Sequence, residues 1–376
     1  MRRERTQQRV FLFGWPGLLG GASTKTLDFL ELLASRVEFT VVPIRRGDLD
    51  DARRRQWLKR RGIEVIGSDD MPRRVRGWAI SFGCPEFLTD GWAWKAKQCG
   101  LKVAWSNEMV HPLRGELGAL RMGLIDRLLF VSRAQRSSLE AGYLDALGRA
   151  GAVAVETARL GSWARGCYRA STGWQIDWME TGNFINPQRF RFRSSRSSFV
   201  RRTPLTVGRV SRADAGKYPE DFPASYESLG LDKARYRVMG MDPSVLGQWG
   251  PRCFGRRWEL LPELAESAEL FLRSLDLFVY ELRAGTRESW GRVVVEAMLT
   301  GCVPLVPGGE DHPYREFVKH GVSGFLCESR EAFRECARLL DRDRDRLRAM
   351  SQAARQESLK LMDRTAHQTG WEEVFQ

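Results

Sequence analysis

Short apolar runs alternate with amphipathic stretches along most of this 376-residue chain. In the first half RVFLFGW reads as a strand, TKTLDFLELLASR as a helix with apolar residues at helical spacing, and EFTVVPI as a strand. GIEVIG, RGWAISFG, LKVAWSN and RLLFVS continue the strand series, and VAVETARLG adds a final strand. A second series begins at Pro204: PLTVGRV, ARYRVMG, RWELLP, LDLFVYE, CVPLVPG and GFLCES as strands. Its helices fall near PEDFPASYESLG, AESAELFLRSL, GRVVVEAMLTG, EAFRECARLLD and RDRLRAMSQAARQESLKLM. Such alternation predicts parallel sheets covered on both faces. The expected fold class is α/β, with two doubly wound Rossmann-like domains facing across a cleft at their strands' carboxyl ends.

The stretch between the two series, NPQRFRFRSSRSSFVRRTP, is polar and rich in Ser and Arg. It makes residues 188–203 the expected linker between an N-terminal domain at 1–187 and a C-terminal domain at 204–360. Each is long enough for a core of its own. The start, MRRERTQQRVFLFGWPGLLG, places basic residues ahead of an apolar run as a signal peptide does. That run is short and broken by Gly14, Pro16 and Gly17, so it reads as a strand and a glycine loop. No stretch approaches the length of a membrane span. The seven cysteines are scattered, odd in number and without a C-x-x-C pair. Disulfide scaffolding and zinc are therefore not expected, and a reducing cytoplasm is the natural compartment.

Charge divides the chain unevenly. Residues 1–187 hold 29 Lys and Arg against 20 Asp and Glu, residues 188–203 hold six Arg and no acid, and residues 204–376 hold 25 against 27. The overall +13 thus belongs to the first half and the connecting segment. Such basicity admits a nucleic-acid-binding protein. No helix-turn-helix, zinc or RNA-binding signature accompanies it, however, and the second half is not basic.

The most informative residues are ESWGRVVVEAMLTGCVPLV. Glu288 and Glu296 stand eight positions apart, with a helix expected to begin at or near Gly291. Glycine there lets a ligand approach the backbone, and free N–H groups at a helix start suit a phosphate. Glu296 is the only charge in VVVEAML, so its carboxylate needs hydrogen-bond donors, and sugar hydroxyls would serve. Trp290 offers a face for a sugar ring or a block of core. The run DRDRDRLR contains D-x-D, but it opens a helical stretch and its alternating charges neutralise one another, so no metal is expected.

ESWGRVVVEAMLTGCVPLV resembles the E-x7-E signature of the retaining family 4 glycosyltransferases, which have the GT-B fold. The likeness extends into HPYREFVKHGVSGFL, with Glu316, Gly321 and Gly324 in the pattern. It implies that Glu288 faces the donor sugar, that Glu296 holds the nucleotide ribose, and that Ser289, Trp290, Gly291 and Arg292 line the donor site. LTVGRVSRADAGKY is similar to the family's diphosphate-gripping segment, which implies Arg209 first and Lys217 next, with Arg212 as rival to Lys217. Gly20 and Gly21 look like its double-glycine loop. His111 is the candidate catalytic histidine from the first domain, and Glu108 in the same loop is a further candidate acceptor contact. WELLPE (258–263) resembles the segment lining the base pocket. The resemblance also implies that a helix at 361–376 crosses back onto the first domain.

The function so implied is transfer of a sugar from a nucleotide-sugar co-substrate, with retained configuration and with neither metal nor other cofactor. The basic first half points to an anionic glycan or lipid-linked acceptor and to peripheral association at the inner face of a membrane. The alternative is a nucleic-acid-binding protein or a glycosyltransferase acting on nucleic acid.

Overall fold

The computed structural model describes residues 8–17, 20–45, 47–149, 152–160, 163–194, 199–200 and 203–376. The chain divides into two compact units, Met1–Ile185 with Asp363–Gln376, and Asn186–Met362.

The first unit is built on β1 (Gln8–Phe13), β2 (Val37–Val42), β3 (Glu64–Val65), β4 (Trp78–Phe82), β5 (Lys102–Ser106), β6 (Arg127–Phe130), β7 (Val153–Leu160), β8 (Trp163–Arg169) and β9 (Gln175–Glu180). They lie in the order β3-β2-β1-β4-β5-β6-β9-β8-β7. The first six and β9 pair in parallel. The remaining pairs, β7 with β8 and β8 with β9, are antiparallel. This corrects the expectation of a parallel sheet closed by VAVETARLG. Charged residues in WARGCYR and QIDWME hid both later strands, whose buried apolar positions include Trp163, Ala164, Cys167, Tyr168, Trp178 and Met179. Antiparallel edge strands tolerate positions that face water, as Arg165, Arg169 and Gln175 do here. Gly166 is required where they meet, since a Cβ there would lie 2.0 Å from the Val155 carbonyl oxygen.

The second unit contains β10 (Thr206–Val210), β11 (Arg235–Met239), β12 (Trp258–Leu261), β13 (Leu277–Val279), β14 (Val303–Pro307) and β15 (Phe325–Cys327), ordered β12-β11-β10-β13-β14-β15 and parallel throughout. Counted from its own first strand this is 3-2-1-4-5-6, and the first six strands of the first unit follow the same order. Each sheet therefore has a switch point, beside β1 and β4 in one and β10 and β13 in the other. Ligands of doubly wound sheets bind beyond the carboxyl ends of the strands at that place.

The Ser/Arg-rich segment packs onto the second unit rather than running free. Arg193 donates from its backbone N–H to Thr300 O and from its guanidinium to Arg273 O. Phe190 and Phe199 are buried, and Phe192 closes on Gly301, where a Cβ would come within 2.4 Å of its ring. Phenylalanines spaced through a polar stretch supply the anchors. Residues 195–198 and 201–202 of this segment lie outside the described residues, as do the basic start at 1–7 and Leu18 and Leu19 of the first glycine loop.

The helix Arg364–Val374 belongs to the first unit, where Trp371 and Phe375 pack edge-on against Phe29. Among the described residues no helix is long and apolar enough to cross a membrane.

Candidate active site

At the end of β10 the three candidate cations have different surroundings. Arg209 is wholly buried, its guanidinium carbon 4.5 Å and 4.4 Å from the ring centroids of Tyr218 and Tyr280. Its Nη1 donates to Glu281 O at 2.6 Å and its Nη2 to Lys217 O at 2.8 Å. Arg209 thus ties the loop after β10 to the loop after β13, and Thr286 Oγ1 adds a second tie to Gly216 O. It is not a surface cation. Lys217, at the end of the short turn Ala215–Lys217 capped by Asp214, keeps its ammonium partly exposed. Arg212 is half exposed and lies 4.0 Å from Asp214.

Lys217 Nζ donates to Glu288 Oε1 at 2.6 Å, and the Tyr280 hydroxyl donates to the same oxygen at 2.8 Å. Charge-assisted bonds of this kind are short and directional. Glu288 Oε2 has no protein partner among the described residues and is not sealed from solvent. The carboxylate is thereby fixed by one oxygen and presents the other. Burial, reinforced by the Glu288 charge, pushes the Tyr280 phenol well above its usual pKa, so it stays a donor.

The helix expected near Gly291 spans Arg292–Thr300 and starts at Gly291, whose φ is 79° and which offers no side-chain cap. A Cβ on Gly291 would lie 2.4 Å from Tyr314 Cε1, so no other residue fits without displacing that ring. Trp290 is buried against Phe317, a core role. Ser289 is half-buried beside them. Glu296 does not wait for a ligand to compensate its burial. Arg292, one turn earlier, donates to its Oε1 at 3.0 Å. That pair was readable as an i,i+4 spacing.

Three tyrosines escaped the sequence reading. Tyr218 and Tyr280 sandwich Arg209, and Tyr314 is fully buried with its hydroxyl unpartnered. His312 stacks on Tyr314 at 5.7 Å, and burial lowers its pKa below the usual histidine value. Tyr280 directly follows a strand in LDLFVYE, the one signal that could have found it.

The other expected residues lie on separate elements. Gly20 has φ 82° and begins the helix Gly21–Leu33 in the first unit. His111 is exposed in that unit, on a loop held by Asn107 Nδ2 donating to its carbonyl. Of the aspartates in DRDRDRLR, Asp343 caps the helix Arg344–Leu361, Asp341 pairs with Arg344 and Asp345 lies by Arg348. In WELLPE, Trp258 belongs to an aromatic cluster with Phe222, Tyr226 and Tyr236.

Residues 259–357 match the family model described as Glycosyl transferases group 1, a span that includes Glu288 and Glu296 but neither Arg209 nor Lys217. No curated protein matches the chain in sequence. Solved structures share its fold over nearly the whole length. HepE of Anabaena, in complex with UDP and glucose, is 15% identical with a TM-score of 0.68, covering 98% of this chain and 99% of that one. A variant of S. aureus TarM in complex with Fondaparinux, alpha-GlcNAc-glycerol and UDP is 9% identical at 0.68, with the same coverage. Sucrose-phosphate synthase from Thermosynechococcus elongatus is 13% identical at 0.62, covering 98% of each chain. The matched segment and the two-sheet fold together support a glycosyltransferase of the GT-B type.

Proposed function

We propose that this protein transfers a hexosyl group from a nucleotide sugar to an acceptor hydroxyl with retained configuration and without a metal. One observation carries the reading: Glu288, held by Lys217 and Tyr280 at the switch point, turns a single open carboxylate oxygen outward. A sugar hydroxyl is a natural partner for that oxygen. The remaining N–H groups of Lys217 and the uncapped helix start at Gly291 suit the diphosphate. Arg209 acts by holding the Lys217 loop in place, and Glu296, oriented by Arg292, takes the ribose. UDP is the first leaving group to test, because HepE and TarM are described in complex with it.

In the transfer the bond from the anomeric carbon to the diphosphate oxygen breaks, and the acceptor oxygen attacks from the face it leaves. The acceptor's proton passes to the departing phosphate, so no strong protein base is needed. Developing negative charge on the phosphate is stabilised by preorganised donors.

The acceptor is proposed to be anionic, a glycan or lipid-linked glycan at a membrane surface. Arg53, Arg55, Lys59, Arg60, Arg73, Arg74 and Arg76 are exposed on the first unit, whereas Arg54 is buried and Arg61 pairs with Glu31. Exposed cations of this number hold a protein to anionic lipid at about 1 kcal/mol each.

Calorimetry with UDP and UDP-glucose tests the donor reading. Wild type should bind both, and Glu296→Gln should weaken both by about 1–3 kcal/mol. Glu288→Gln should spare UDP affinity and lower turnover. Activity abolished by EDTA and restored by Mn²⁺ would remove the metal-free mechanism.

A further inference from the structure

The loop after β5 holds a second carboxylate arranged like Glu288. Glu108 Oε1 accepts from Lys25 Nζ at 2.6 Å and from Ser106 Oγ. Lys25 comes from the helix Gly21–Leu33, beyond the first strand of its unit, and is buried together with Ser106. Glu108 Oε2 has no protein partner among the described residues and is not sealed from solvent. The strands β1, β4 and β5 are parallel neighbours, so this group stands at the carboxyl edge of the first unit's sheet, by its switch point.

The backbone is strained to put it there. Glu108 has φ 67°, a region that costs a side-chain-bearing residue on the order of 1 kcal/mol or more. The surroundings enforce that conformation. Gly83, at the end of β4, donates its N–H to Ser106 O, and a Cβ on it would meet Glu108 Cβ at 3.0 Å. Asn107 Oδ1 accepts from Met109 N–H, and Gln135 Nε2 donates to Met109 O. Asn107 Nδ2 in turn donates to Glu116, a fully buried carboxylate that also accepts from Trp105 Nε1, Leu113 N–H and the Tyr143 hydroxyl. Burial raises the Glu116 pKa, and those four donors oppose the rise. A loop braced on this scale around one strained acid is organised for what the acid contacts.

We propose that Glu108 is a binding residue for a hydroxyl group of a polyhydroxylated, carbohydrate-like ligand. Resting on the glycosyltransferase reading, that ligand is the acceptor. The pair of Lys25 and Glu108 is neutral, and its outward atom is a carboxylate oxygen. An anion would be repelled by that oxygen, and a cation gains little beside the ammonium of Lys25. An uncharged hydroxyl donor meets neither penalty. Trp15, in the loop after β1 at the same edge of the sheet, has a buried indole N–H without a partner and is a second polar group suited to such a ligand. Any anionic part of the acceptor must then be bound away from Glu108.

The test uses the full-length protein with methyl α-D-glucopyranoside as probe, followed by ligand-observed NMR titration, with UDP calorimetry alongside. Wild type should bind the glucoside, and Glu108→Gln should weaken it about tenfold or more while leaving UDP affinity within about twofold. Ser106→Ala removes one of the bonds that orient Glu108 and should weaken the glucoside by a smaller factor. It serves as the second variant if Glu108→Gln fails to fold. Glucoside affinity unchanged in the folded variants overturns the proposal, as does a wild type that takes up no glucoside. Failure to bind UDP is a separate result that counts against the donor reading alone.

Discussion

Glu108 and Glu288 occupy the carboxyl edges of two sheets whose first six strands share one order, and each has one oxygen held by a lysine and a hydroxyl. They differ in wetness. The Lys25–Glu108 side chains are 3% and 9% exposed, whereas Lys217 and Glu288 are 19% and 15% exposed. They also differ in backbone. Glu108 sits in a strained residue of a braced loop, while Glu288 precedes a helix whose glycine start absorbs the turn. The drier pair is tied to folding as well as to binding. The wetter pair can lose a partner at small cost to stability, which leaves its lysine available to a ligand's phosphate.

The largest effect expected from that difference comes from removing each lysine in turn. Lys25→Met strands a nearly buried carboxylate and should cost about 3–5 kcal/mol in urea unfolding. Lys217→Met leaves Glu288 with Tyr280 and solvent, and should cost about 1 kcal/mol while weakening UDP binding. Equal losses in the two unfolding curves would break the comparison.

A second, smaller contrast uses the glycines at the two helix starts. Gly291→Ala must place a Cβ against Tyr314 at a left-handed φ, and should cost about 2–4 kcal/mol. At Gly21 a Cβ meets nothing within 4 Å, so Gly21→Ala should change stability by under about 1 kcal/mol. Melting curves of both variants decide it.

How much of this could be read from sequence depended on how local each feature is. Glu288, Gly291 and Glu296 sit within nine residues, and the helix they begin is set by neighbours. Lys25 and Glu108 are 83 residues apart, and Lys25 in TKTLDFLELL looks like any solvated helix cation. Only the β1-β4-β5 adjacency brings them together. Arg209 was legible as a cation at a strand end, but not the two tyrosine rings that bury it, one of them from β13's far end. The strands β8 and β9 were missed because charged residues interrupt their apolar positions, and the anchoring of the Ser/Arg-rich segment was not legible because three phenylalanines do not outweigh six arginines in composition.

The smallest effect is pH-dependent and belongs to the second unit. Burial holds the His312 pKa below its usual value, so the folded protein binds fewer protons than the unfolded chain as pH falls below about 6.5. His312 therefore contributes full stability above that pH, and its contribution is lost as pH falls through the lowered folded value. His312→Asn should flatten that part of the stability profile, measured by urea unfolding between pH 7 and 5. An unaltered slope would assign the dependence to other groups.

The helix Arg364–Val374 gives the two units different histories during synthesis. The second unit is one continuous stretch of chain, so all of it has been made once residue 362 is in place. The first unit is interrupted by the second and resumes at Asp363. Until Trp371 and Phe375 arrive, Phe29 and Phe82 have, among the described residues, only each other and Phe39 as aromatic neighbours, and Trp78 Nε1 lacks the Phe375 carbonyl it bonds. The unit translated first is thus the last to close, and for the time it takes to make some 190 residues its apolar surface is a natural client for a chaperone.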